Sequence, residues 1–202
     1  MSAIGLARPR EWPRLRLGGL ATFVVGTLLA AGAIHICAIL LVPVFAKADG
    51  WSRLAPFAGE DRFTEIAAGA VAGLDPLFVT SACRLDLTNV PAGIAVEARD
   101  RFWSVALYDP SGAVIFSLND RTAIEGRLDM IVVDPEQNAK LKRAPSEEIE
   151  QTIVVESPSE DVIALLRLFA PTRTAQEDAR RVLARAECLP APSVIPAGGS
   201  DG

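Results

Sequence analysis

Histidine is almost missing from this chain: His35 is the only one in 202 residues. Beyond residue 35 the usual general base near neutral pH is therefore absent, which removes Ser-His-Asp and Cys-His arrangements and histidine-based metal clusters. No G-x-S-x-G elbow, phosphate-cradling glycine loop or S-x-x-K motif stands in for them. Cysteine is sparse as well. Three residues are too few for a disulfide-dense miniprotein, and their spacing fits neither a C-x-x-C redox pair nor a zinc site. Positive charge is in deficit, with 20 basic against 25 acidic side chains and a net charge of −5, which argues against a nucleic-acid partner. Intrinsic disorder is excluded by a content of 50 % hydrophobic residues.

One absence is local. Residues 17–45 hold no Asp, Glu, Lys or Arg, and the non-apolar exceptions are four glycines, Thr22, Thr27, His35 and Pro43. About 20 such residues cross a bilayer core, and no polar stripe marks the run as the buried helix of a soluble domain. It reads as a transmembrane helix. Arg8, Arg10, Arg14 and Arg16 precede it against Glu11 alone, while the remaining 16 basic and 24 acidic side chains follow it, a net of −8. Arginines flanking a span stay cytoplasmic, so the expected topology is N-terminus inside, in a bacterial inner membrane, with the main domain in the periplasm. Trp12 and Trp51 suit the two interfacial belts. A cleaved signal peptide is the rival reading, since Ala46-Lys47-Ala48 resembles a cleavage site. A signal core usually runs about 7–15 residues, and this one is nearly twice as long, which favours the uncleaved anchor.

Within the span, Gly18, Thr22, Gly26 and Ala30 form a ladder of small residues at every fourth position, a surface for helix–helix contact in a homodimer or with a neighbouring membrane protein. His35 is a costly residue for a bilayer, but no acid or second histidine accompanies it and neutral imidazole is among the cheaper polar groups to bury. Cys37 lies in the span as a small apolar residue. Cys83 and Cys188 are the two cysteines beyond it, and an oxidising compartment lets them pair or leaves two buried thiols as the alternative. A bridge would tie a C-terminal helix to a strand-like run.

The expected organisation is a basic segment over 1–16, the span over 17–45, a juxtamembrane linker over 46–59, a β-rich domain over 60–189 and a disordered tail over 190–202. Residues 60–72, EDRFTEIAAGAVA, are helix-compatible, with Phe63, Ile66, Ala67, Ala70 and Val71 on one face. Strand patterns follow near 77–87, 93–98, 102–109, 113–119, 128–134, 150–156 and 161–169. Asp109-Pro110-Ser111-Gly112 reads as the turn of a hairpin, with Trp103, Val105 and Leu107 facing the core opposite Val114, Phe116 and Leu118. Residues 135–149 are polar enough for an exposed loop. Thr174 and Glu177 spell a capping box for a helix reaching about residue 187. The fold class is α+β, mainly β: one transmembrane helix, then a small β-sandwich-like domain with flanking helices.

Candidate chemistry is thin. Asn119, Asp120 and Arg121 beside a strand end form a possible binding rim, in which Arg121 would grip an acidic group, or else a simple turn with a local ion pair. No catalytic, cofactor-binding or metal-ligating set emerges. The expectation is a noncatalytic binding or interaction module whose partners are the bilayer and a second membrane protein; the alternatives are a carboxylate- or metal-dependent envelope enzyme and a structural or assembly subunit.

The runs Asp75-Pro76-x-Phe78-Val79-x-x-x-Cys83-Arg84-x-Asp86-Leu87, Arg101-Phe102-Trp103-Ser104-Val105-Ala106-Leu107-Tyr108-Asp109 and Ser117-Leu118-Asn119-Asp120-Arg121-Thr122 resemble short membrane-anchored proteins of domain-of-unknown-function family 1254. The hairpin and Leu165-Leu166-Arg167-x-Phe169-x-Pro171-Thr172 are also similar to the related family 1214. The likeness covers roughly residues 50–188. It implies a β-rich envelope-associated domain and brings no catalytic residues with it.

Overall fold

The computed structural model describes residues 17–45, 49–123, 126–143 and 152–191. Its first unit is one helix, α1 (Leu17–Phe45). Residues Gly18–Val42 form a stretch long and apolar enough to cross a membrane, with none of it buried in the protein. The two hydroxyls inside it are satisfied locally: Thr22 Oγ1 donates to the Gly18 carbonyl and Thr27 Oγ1 to that of Phe23, each at 2.9 Å. That is what an apolar solvent demands of a polar side chain.

The second unit is built on alternation. Along β4 (Ala92–Glu97) and β5 (Trp103–Tyr108) every second residue is buried, so each strand turns one face to a core and one outward. Two sheets share that core. The first contains β1 (Gly59–Glu60), β3 (Phe78–Asp86), β9 (Asp161–Phe169), β5 and β6 (Val114–Asn119) in that order, with β2 (Thr64–Ile66) also paired to β3. The second runs β10 (Glu187–Pro190), β4, β7 (Arg127–Val133) and β8 (Ile153–Glu156). Cys83, Leu85, Trp103, Val105, Leu107, Leu166 and Leu168 from the first sheet pack against Ile94, Val96, Leu128, Met130 and Val132 from the second. Full burial of each large aliphatic side chain is worth about 1.5–3 kcal/mol, so this seam is the main stabilising feature of a sandwich.

Both outer faces are partly covered. On the second sheet, Leu141 of α3 (Pro135–Arg143) packs with Ile131 and Val133. On the first, Leu54 of α2 (Asp49–Leu54) joins Ile66 and Val71 over Ala82, Ile163 and Leu165. Finally α4 (Arg173–Leu183) sends Ala179 and Leu183 into the shared core.

Three local expectations are corrected. Residues 60–72 are not a helix: Thr64, Glu65 and Ile66 pair with Ala82, Ser81 and Thr80, and Asp61 and Gly69 hold positive φ angles no helix interior contains. Their apolar pattern is used nonetheless, since Ile66 and Val71 are buried and Phe63 packs on the main core. Residues 135–143 are helix instead of loop, and 144–149 lie outside the described residues. Asp134 accepts from the Gln137 amide at 2.8 Å while Gln137 Oε1 accepts from the Asp134 amide at 3.1 Å, a reciprocal cap with Pro135 at the first helical position. The Gln137 side chain also donates to the Leu87 carbonyl at 2.6 Å, which docks the helix on the sandwich. At the C-terminus the cap is Thr172, not Thr174; its Oγ1 accepts from the Ala175 amide at 3.2 Å, and Thr174 already lies inside the helix. The helix stops at Leu183, and Cys188 sits in edge strand β10, which also holds Pro190 where a missing N–H costs nothing. Residues 192–202 of the expected tail lie outside the described residues.

The hairpin closes as its turn chemistry requires. Asp109 Oδ1 accepts from the amides of Ser111 at 2.9 Å and Ala113 at 3.0 Å and from Ser111 Oγ at 2.6 Å, while Gly112 adopts φ 78°. A register shift between Leu107 and Tyr108 then sets Val114 opposite Tyr108, so Val114 faces outward instead of into the core; Phe116 and Leu118 keep the expected face. Asp109→Ala removes all three acceptances and should lower stability by about 1–2 kcal/mol. A denaturant titration measures this, and an unchanged midpoint would show that Pro110 and Gly112 suffice for the turn.

Candidate functional site

Strand pairing on the outer face of the first sheet places residues in rows. Thr80, Arg167, Ser104 and Asn119 are successive neighbours across β3, β9, β5 and β6. Two residues along the strands the row is Ala82, Leu165, Ala106 and Ser117, and beyond it Ile163, Tyr108 and Val114. The segment bearing α2 covers Ala82 and Ile163, and the uncovered part is a cleft of about 430 Å³ lined by Arg167, Ser104, Asn119, Ala106, Leu165 and Tyr108, among others. That size falls in the range of small-molecule sites.

Arg167 is the one charged residue lining this cleft among the described residues. Its guanidinium lies over the Phe78 ring at 4.4 Å from the centroid. Phe78 is itself braced edge-on by Phe169 at 5.4 Å and Phe102 at 6.0 Å, so the cation rests on a fixed aromatic platform. Its Nε is buried and has no hydrogen-bond partner, and neither has the Thr80 hydroxyl across the strand. A buried donor without an acceptor costs about 1–3 kcal/mol, a cost borne here inside the sheet packing.

Asn119 and Asp120 of the expected binding rim line different hollows. Asn119 lines the cleft; its Oδ1 accepts from the Arg121 amide at 3.1 Å, closing the turn. Asp120 lines a broader hollow with Arg99, Asp100 and Arg101, its Oδ1 buried without a hydrogen-bond partner, and Arg121 is exposed. Cys83 and Cys188 form a disulfide with Cα atoms 6.6 Å apart, joining β3 to β10 and so one sheet to the other. Gly18, Thr22, Gly26 and Ala30 all lie exposed on α1, as does the free thiol of Cys37.

Acids gather elsewhere. Glu60, Asp61, Asp86 and Asp161 surround Arg84, which pairs with Asp161 at 2.9 Å. Asp86 is held below the usual carboxylate range by the Thr88 hydroxyl and amide, so it is an ionised acceptor and no general acid. Among the described residues no group of three or more His, Cys, Asp or Glu is placed to hold a metal ion. Arg167 is the functional candidate that reading the sequence missed. Its signal was there: one cation in a strand that is otherwise apolar from Val162 to Phe169, DVIALLRLF.

One solved structure supports the fold, and a second stands beside it for comparison only. The VPA0106 protein from Vibrio parahaemolyticus superposes with a TM-score of 0.52 at 12 % identity over 75 % of this chain. An uncharacterized protein from Burkholderia cenocepacia gives a TM-score of 0.43 at 14 % identity over 59 % of the chain. This chain spans 35 % of the length of each. No curated protein matches it. Residues 62–189 match the family described as Protein of unknown function (DUF1254), and the chain belongs to that family.

Proposed function

We propose that this DUF1254 protein is a single-pass, membrane-anchored module that binds its target without converting it. In this reading α1 crosses the inner membrane, the arginine-rich lead stays in the cytoplasm, and the sandwich works in the periplasm. One observation carries the compartment: a chain with an uncharged apolar helix near its N-terminus also holds a disulfide in its sandwich core, and such bonds persist in oxidising compartments. Lipid surrounds α1, and its small-residue face is where a second copy or a neighbouring membrane protein would pack. Binding is favoured over catalysis because the cleft offers a cation, hydroxyls, an amide and apolar floor, with no acid–base pair.

A phosphatase reporter that is active only outside the cytoplasm tests the topology. It should be active when inserted after residue 190 and inactive when inserted after residue 10. Equal activity at the two positions would sink the orientation.

A further inference from the structure

We propose that the cleft on the outer face of the first sheet binds a small amphipathic monocarboxylate, its carboxylate on Arg167 and its apolar body along Leu165 and Ala106. The proposal rests on the binding-module reading and names the ligand class. Three observations converge on it. The charge is a single cation, with no other charged side chain lining the cleft among the described residues, which matches a monoanion better than a phosphate dianion. Arg167 lines the cleft while the Phe78 platform holds its guanidinium, so the cation is preorganised to meet an anion. Ser104 and Asn119 flank it in the same cross-strand row and add neutral donors.

Polarity then falls away in one direction. A step of two residues along a strand is about 7 Å, so the apolar row of Leu165 and Ala106 begins about 7 Å from the cation and the row of Tyr108 and Val114 lies about 14 Å from it. A polar head with a short apolar body, which reaches the nearer of these rows, fits the arrangement. A free sugar would leave its hydroxyls on Leu165 and Ala106, and inorganic phosphate would leave that floor uncovered.

Full-length protein in lipid nanodiscs, titrated calorimetrically with hexanoate against empty nanodiscs, tests this. Hexanoate should bind saturably, Arg167→Gln should weaken it at least about tenfold, and Ala106→Trp should abolish it by filling the apolar floor. Ala106 lies outside the shared core, so that variant tests the site even if Arg167→Gln perturbs folding. Equal binding of hexanol would show that the cation is not read and would overturn the proposal, as would inorganic phosphate binding as tightly as hexanoate. Absence of hexanoate binding overturns the ligand class and leaves the topology result untouched. Labelled hexanoate recovered unchanged by NMR supports binding without turnover; its conversion would overturn the noncatalytic reading while sustaining the ligand class.

Discussion

Protein carrying Cys83→Ala and Cys188→Ala is expected to unfold roughly 10–20 °C below the parent chain. The sequence separation of the two cysteines is 105 residues, and closing a loop of that size removes about 4–5 kcal/mol of chain entropy from the unfolded state. A domain of this size loses about 2–4 °C for each kcal/mol. The tie is also placed where little else holds. β10 is an edge strand, paired to β4 alone, and the chain reaches it after α4 through Ala184 and Arg185. Both cysteines are buried, so a reductant reaches the bond only after local opening, and the double alanine variant is the cleaner experiment. Hydrogen exchange locates the loss: amides of β10 should lose protection first, while β3 and β9, bonded along nine paired positions, keep theirs. A shift below about 3 °C would mean that the unbridged chain retains the same loop closure in its unfolded state.

Strands were legible wherever alternation alone decides the outcome. Trp103, Val105 and Leu107 announce a half-buried strand, and β9 is bounded at Asp161 and Phe169 by a change of composition that any strand would show. The failures share a physical cause: partners distant in sequence. Residues 60–72 are rich in helix formers, and only the exposed edge of β3 makes Thr64–Ile66 a strand. The reciprocal cap of Asp134 and Gln137 was present in the letters, but it counts as a helix start only when Leu141 has Ile131 and Val133 to cover. Arg167 shows the same limit at the candidate site. A cation in a strand has no meaning until its row is known, and that row is set by β3 and β5, 87 and 63 residues away in sequence at Thr80 and Ser104. The rim at 119–121 was read from adjacency, whereas the cleft assembles across β5, β6 and β9 and takes only Asn119 from it.

Trp103→Ala should be the most damaging single substitution, costing about 3–5 kcal/mol and leaving the sandwich near its folding limit. Trp103 is the largest fully buried side chain, and it stands on β5 between β9 and β6, where Leu168 is its cross-strand neighbour. Its Nε1 donates to the Ala98 carbonyl at 3.1 Å, a bond that ties the end of β5 back to the residue after β4 and so links the sheets. Two losses therefore add in the alanine variant, the cavity and the orphaned carbonyl. Trp103→Phe separates them, since it fills most of the space and removes only the donor; about 1–3 kcal/mol is expected. Urea titration of both variants measures the pair, and similar midpoints would assign the whole effect to the hydrogen bond. The consequence reaches the cleft because neighbouring residues on a strand face opposite ways. Ser104 and Ala106 hold their places on the outer face only as long as Trp103, Val105 and Leu107 stay seated in the core. Trp103→Phe should thus weaken hexanoate binding by no more than a few-fold at temperatures where the domain is folded, since β5 keeps its register. Loss of binding in a folded Trp103→Phe protein would instead show that the cleft is set by the Ala98 tether.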